Sequence, residues 1–292
     1  MKKVLLIAAL TMASAPAFAT KARSTALQGS RTVATDFQQV FENPQKMWEI
    51  GDQATFEFGP RGTTYTSAGV ASENTTNAEG GFLRTSGDSK WGAYVGRQST
   101  SLSYMLNGAI VGKAMSAAGL KRMENPVNLM YGMRAGGMDL GFNLYYANSE
   151  TKQGTDMSKK SAQGVSLGAR TDKWNAGLLL GLGSKVQDTN TGAKEEFKGS
   201  TSVKLAGEYA INDDLLGFAS ITNFGGKHTT NAGAEDMDLD HMAMEIGVES
   251  KIKSDVVHFF DGAALNQATE KNKATGANPE KVESLTLPVY FG

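Results

Sequence analysis

The chain of 292 residues contains no cysteine, so no disulfide can hold it together. Proline is scarce, six residues, against 34 glycines. Neither sign of charge dominates: Lys and Arg number 29 against 30 Asp and Glu, which is not the composition of a polyphosphate-binding protein. Past the first nineteen positions no apolar run approaches the roughly 18 to 20 residues that a spanning helix needs, so any membrane-embedded form must be built of strands. Bulk composition decides no further, because a soluble β-sandwich has similar proportions.

What is present begins with a leader. Lys2 and Lys3 give a positive start, Val4 to Ala13 an apolar segment, and Ala17-Phe18-Ala19 a small-x-small site, which together predict a secretory signal peptide over 1–19 cut before Thr20. No cysteine follows the site, which excludes lipoprotein processing. The remaining organisation is an N-terminal segment over 20–52, periplasmic or plug, and a strand-rich body over 53–292.

That body is organised around residues 138–210. Met138, Leu140, Phe142, Leu144 and Tyr146 alternate with Asp139, Gly141, Asn143, Tyr145 and Ala147, so a strand here lays an almost wholly apolar row on one face. Runs at 165–170, 174–185 and 197–210 repeat the pattern; in the last, Phe197, Thr201, Val203, Leu205 and Tyr209 oppose Lys198, Ser200, Ser202, Lys204 and Glu208. The connectors alternate as well. Those near 135–137 and 171–173 are short, whereas 149–161, 187–196, 225–236 and 268–280 read as long polar loops. Short turn and long loop in turn is the rhythm of a transmembrane β-barrel.

The expected strands lie near 54–58, 90–98, 102–106, 127–134, 138–148, 162–170, 173–186, 197–210, 214–224, 239–251, 255–267 and 281–291. Residues 63–81 are expected as a polar loop. The predicted fold is therefore all-β: a closed antiparallel transmembrane β-barrel of about 12 strands, with a short N-terminal helical segment. Val33, Phe37, Val40 and Phe41 carry helical spacing before Asn43-Pro44 ends it, which suits either a plug in the barrel mouth or a short helix at the rim. Residues 108–125 are Ala- and Met-rich, a helical excursion into the lumen or outside it. In the final strand Leu285, Leu287, Val289 and Phe291 share a face; the chain then ends one residue past the aromatic, so the terminal signal is displaced by one or the chain continues. Pro288 removes a ladder donor and fits a strand end or bulge.

Trp174, Tyr209 and Phe291 sit where an aromatic girdle belongs. The row opposite the apolar one predicts the lumen: Arg134, Asp139, Arg170, Lys198, Lys204, Glu208, Glu245 and Glu249, with Asn143, Ser166, Asn175 and Lys185 beside them. A wet, mixed-sign interior suits a weakly selective channel, and its own side chains could equally fill it. His228, His241 and His258 have acids nearby but no nucleophile motif, so no catalytic residue is expected. Asp236-Met237-Asp238-Leu239-Asp240 imitates a calcium loop but has His241 where Gly is required and Gly247 in place of the closing Glu. No cofactor or metal site is expected. Lys159, Lys160, Lys271 and Lys273 read as loop charges, solvated or touching lipopolysaccharide phosphate.

Signal peptide, Gly-rich alternating strands, turn rhythm and near-terminal Phe291 together resemble a Gram-negative outer-membrane β-barrel. More narrowly, Asn43-Pro44-Gln45-Lys46-Met47-Trp48-Glu49-Ile50-Gly51-Asp52, followed by residues 53–58, is similar to the entry segment of the major outer-membrane protein of Bdellovibrio-type predatory bacteria. It is more weakly similar to the Asn-Pro-Ala entry of FadL-type transporters, with Gln45 in place of that alanine. The resemblance implies an abundant porin-like or structural barrel; the mixed-sign lumen and the modest strand number lead to the expectation of a passive channel for small hydrophilic solutes, the alternative being a structural or surface-interaction barrel. The partners expected are outer-membrane lipid and lipopolysaccharide, and the barrel-assembly machinery through the last strand; nucleic acid is not among them.

Overall fold

The computed structural model describes residues 37–60, 76–96, 126–153, 155–190, 193–230, 237–253, 258–274 and 280–291. The expected signal peptide, the strand at 102–106 and the helical excursion over 108–125 lie outside the described residues. A helix α1 (Phe37–Glu42) is followed by a 3-10 turn over Pro44–Glu49. Pro44, fixed in φ and lacking a donor, starts that turn and ends α1.

Among the described residues every later element is a strand: β1 (Gln53–Pro60), β2 (Thr76–Ser86), β3 (Ser89–Val95), β4 (Val127–Ala135), β5 (Met138–Gln153), β6 (Asp156–Arg170) and β7 (Trp174–Asn190). The order continues with β8 (Ala193–Gly199), β9 (Ser202–Ala210), β10 (Leu215–Thr230), β11 (Met237–Lys253), β12 (His258–Ala274), β13 (Glu280–Thr286) and β14 (Val289–Phe291). All pair antiparallel in one sheet of 14 segments. β8 and β9 both lie between β7 and β10, and β13 and β14 both pair β12, so each couple is one interrupted strand and the segments fill twelve positions. The second interruption falls at Pro288, which has no N–H to give the ladder; its carbonyl still accepts from Ala264 N at 3.1 Å.

One of these positions is not among the expected strands. Residues 76–86 form β2, paired with β1 and β3, although 63–81 are expected as a polar loop. Gly80 and Gly81 there supply little apolar signal, so the alternation is hard to see. The long loops are also corrected. β5, β6, β7, β10, β11 and β12 run for 15 to 17 residues each. A spanning strand needs only about 9 to 11, so the excess continues as paired ribbon beyond the belt. Residues 148–153 pair with 156–161 in this way, as do 184–190 with 193–199.

Alternation sorts the side chains by face. Phe142, Leu144 and Tyr146 point outward and are 37 to 48% exposed, while Asn143, Tyr145 and Ala147 between them are buried. Trp91, Leu129, Leu167, Leu205, Ile221, Met244, Ile246 and Leu265 extend the same outward belt. On β7 it reaches from Trp174 to Leu182, about 27 Å along the strand at ~3.4 Å per residue and about 21 Å in height at a ~40° tilt. At the rim of short turns, β4 and β5 are joined by Gly136 and Gly137 alone, both at positive φ (59° and 75°), the backbone of a two-residue hairpin turn. No ladder joins β1 to β13 or β14 among the described residues.

Candidate functional site

The described part of the N-terminal segment, residues 37–52, lies against the inward face of the sheet. The carbonyl of Phe41 accepts from Asn143 Nδ2 at 3.0 Å and Ser166 Oγ at 2.7 Å, both inward groups midway along β5 and β6. Phe37 and Phe41 pack on the Tyr94 ring at centroid distances of 4.7 and 5.4 Å, with Val40, Met47, Leu83 and Met130 completing an apolar cluster inside the barrel. From there the chain descends to the short-turn rim. Trp48 Nε1 donates to Leu140 O at 3.3 Å, and the Arg134 guanidinium stacks 4.3 Å from the Trp48 ring. Asp52 ends the descent by accepting from Thr85 N (2.9 Å) and Oγ1 (2.6 Å), and these hydrogen bonds hold its carboxyl below the usual range.

The wall is shaped for this segment. Gly132, Gly141, Gly168 and Gly177 stand directly opposite one another across β4, β5, β6 and β7. A Cβ on Gly141 or Gly168 would collide with Pro44 and Gln45, and one on Gly132 or Gly177 would come within 2.7 Å of Met47 or Asn43. The glycines are inward positions without side chains, and the segment occupies the space they leave. Sequence reasoning missed this row. Its signal was available, because all four fall in the inward phase of four consecutive strands.

Seven of the eight predicted lumen residues face the interior. Asp139 joins two cations, its Oδ1 2.9 Å from Arg134 Nε and its Oδ2 3.1 Å from Arg170 Nε; Arg170 also reaches Glu49. Lys204 lies 3.0 Å from Glu42 on α1. Glu208 lies 3.0 Å from Lys46 and accepts from Asn175 Nδ2 at 2.7 Å. Glu245 accepts from Ser220 Oγ at 3.3 Å, and Glu249 is fully buried. The functional partners missed from sequence are therefore Glu42, Gln45, Lys46 and Glu49, which sit on the segment itself. Gln45 donates to Asn175 Oδ1 and to Ala176 O.

Lys198 is the correction. It stands opposite Lys185 on β7 and Lys227 on β10, facing outward and exposed, while Phe197 beside it points inward with Val186. The reason is the break at Ser200 and Thr201: three steps on β10 from Asn223 to Gly226 match four from Val203 back to Gly199, so one extra residue reverses the faces above it. Lys185 changes face likewise, past the register shift that leaves Leu182 unmatched between Gly181 and Gly183. Lys160 is buried and inward, unlike its outward neighbour Lys159. Trp174 and Tyr209 are opposite each other, outward, at the short-turn rim; Phe291 pairs with Asp261 in β14.

Between α1 and the wall from β9 to β13 the described residues leave a chamber of about 330 Å3. Glu42, Lys204, Ser220, Thr222, Glu245 and Asn266 line it, with the hydroxyls of Ser284 and Thr286 across from them. At the far rim the interior is packed by Val186, Phe197, Phe224 and Leu239, all buried, and His241 stacks on Phe224 at 4.6 Å. Among the described residues no group of three or more metal-binding side chains is assembled. Asp238 and Asp240 lie on β11 within the ladder, opposite Lys273 and Lys271.

No family model matches the chain, and no curated protein matches it. Among solved structures it is similar to OmpT (in-vitro folded), an outer membrane protein of Vibrio cholerae, at 14% identity and a TM-score of 0.43. The match covers 82% of this chain and 74% of that one. A likeness so slight adds nothing to what the ladder itself shows.

Proposed function

We propose that this chain spans the outer membrane of a Gram-negative bacterium as a partly plugged β-barrel and passes small hydrophilic solutes passively, without energy coupling. In hydrocarbon every backbone polar group must pair within the protein, and an antiparallel sheet with an outward apolar belt meets that demand once its edge strands pair with each other. The short-turn rim lies on the periplasmic side and the extended ribbons on the cell exterior. The exposed last strand is the segment handed to the barrel-assembly machinery. The observation that carries the channel reading is the chamber beside α1, open space that Glu42, Glu245, Lys204 and several hydroxyls line.

A second reading is favoured by the packing at the far rim. Val186, Phe197, Phe224 and Leu239 fill the interior above the chamber, as they would in a barrel that serves as scaffold and conducts nothing. Planar-bilayer recording of the refolded chain separates the two. Discrete steps smaller than those of barrels with 16 to 18 strands are expected. A protein that resists carbonate extraction from vesicles yet gives no steps is a structural barrel, and the channel reading is then abandoned.

A further inference from the structure

Above the belt, on the outward face, three lysines stand directly opposite one another on adjacent strands: Lys185 on β7, Lys198 on β8 and Lys227 on β10. Like charges facing across a sheet destabilise it. The row cannot turn inward, because Val186 and Phe197 pack the other side of the same ribbon. Glu196 answers two of the three, and Asp238 on β11 stands opposite Lys227. Glu196 lies 2.7 Å from Lys198, 3.3 Å from Lys194 and 3.5 Å from Lys185. Three ammonium groups sharing one carboxylate leave an excess of positive charge, and an ammonium has three donors, so Glu196 does not exhaust them. One strand further, Lys159 and Lys152 are each 3.4 Å from Glu150, again two cations to one anion. Immediately below the row, Leu182 and Val203 form the upper edge of the belt, 51% and 38% exposed.

We propose that the row of Lys185, Lys198 and Lys227 binds the phosphate headgroup of an acylated lipid in the leaflet at this rim. The ligand class follows from the two halves of the site. Outward ammonium groups side by side favour a multiply charged oxyanion. The apolar edge beneath them favours a ligand whose phosphate is carried on hydrocarbon. The inference rests on the membrane reading above, and its test is arranged so that the two can fail separately.

The test uses the full mature chain in detergent micelles, with lipid retention read by native mass spectrometry. Phosphatidic acid and diacylglycerol of identical acyl chains differ only in the phosphate. The wild type is expected to retain phosphatidic acid about tenfold better, and the variant K185Q/K198Q/K227Q to lose that preference. Lys173→Gln, on the opposite rim, should keep it. Inorganic phosphate at matching concentration should not displace the lipid. Equal retention of the two lipids, or a preference that survives the triple substitution, overturns the site. Displacement by inorganic phosphate overturns the lipid assignment. If the triple variant fails to show the heat-dependent gel shift of a folded barrel, the single Lys227→Gln is read in its place, with about a threefold loss of preference expected and no loss refuting the row. Release of the wild type from vesicles by carbonate would instead remove the membrane reading on its own.

Discussion

The pair between Lys46 and Glu208 is the sharpest test of the seated N-terminal segment. Their side chains are 5% and 11% exposed and 3.0 Å apart, and they tie the 3-10 turn to β9 on the inward face of the sheet. Replacing Lys46 by Met leaves Glu208 with Asn175 but without its cation, and losing one partner of a buried pair costs about 3 to 5 kcal/mol. Replacing both, as K46M/E208Q, removes the stranded charge while Gln can still accept from Asn175. Neutral replacement of a buried pair is often energetically level, so at least about 2 kcal/mol should return. Trp48 reports the event directly, being the one tryptophan on the inserted segment; Trp91 and Trp174 face outward and can be changed to Phe. Urea titration of vesicle-embedded protein, followed by Trp48 emission, gives the three free energies. A loss below about 1 kcal/mol for Lys46→Met, the value of a surface pair, would falsify the buried pair, and so would a double variant no better than the single.

The glycine row makes a steric prediction: Gly168→Val drives a side chain into Gln45 and should destabilise the seated segment by about 1 to 3 kcal/mol by the same Trp48 readout. Gly207→Val, whose nearest neighbour atom is 3.8 Å away, is the control and should change it little; equal effects would mean that the row is not the seat. The free edges of β1 and β13 should not persist in a bilayer, because unpaired amides in hydrocarbon cost several kcal/mol each. Hydrogen–deuterium exchange in vesicles should therefore protect amides of both strands, and free exchange there would mean that the barrel is open. At the rim of extended ribbons, beyond the belt, Lys198 foremost and then Lys194 hydrogen-bond Glu196 and hold its carboxyl at about 2, Lys185 adding its charge. A carboxyl depressed in the folded state contributes stability above its unfolded value of 4.5, and loses that contribution as pH falls through about 2. The midpoint difference between wild type and Glu196→Gln should accordingly be constant above about pH 5 and vanish near pH 2; a difference that rises on acidification would contradict the pairing.

The barrel itself was legible because its signal is a period of two, and a period of two survives in any strand with one apolar face outward and one face inside. Residues 138–147 show it without interruption, and the structure keeps every one on its expected face. Residues 76–86 hid it because glycine at positions 80 and 81 contributes to neither face. Strand ends were misjudged for a related reason. Beyond the belt both faces are polar, so 148–153 and 156–161 read as loop although their backbones continue the ladder.

The interior was legible only up to the first bulge. Alternation is a counting argument, and a single extra residue reverses every face beyond it. The sequence gives no local mark at Ser200 and Thr201 strong enough to reset the count, and the same is true at Leu182 and Gly183. Lys198 and Lys185 were assigned inward on that account, and their actual position gathers charge on the outer wall. The filled lumen could not be read from strand faces at all, since four inward glycines look like vacancy. Vacancy on four neighbouring strands at one height is, however, a shape, and the buried Gln45 and Lys46 are polar residues that need partners across it. A short polar-apolar segment upstream, joined to a wall with a glycine trough and opposed charges at Arg170, Lys204 and Glu208, has one arrangement that satisfies both, which is the segment laid along the trough.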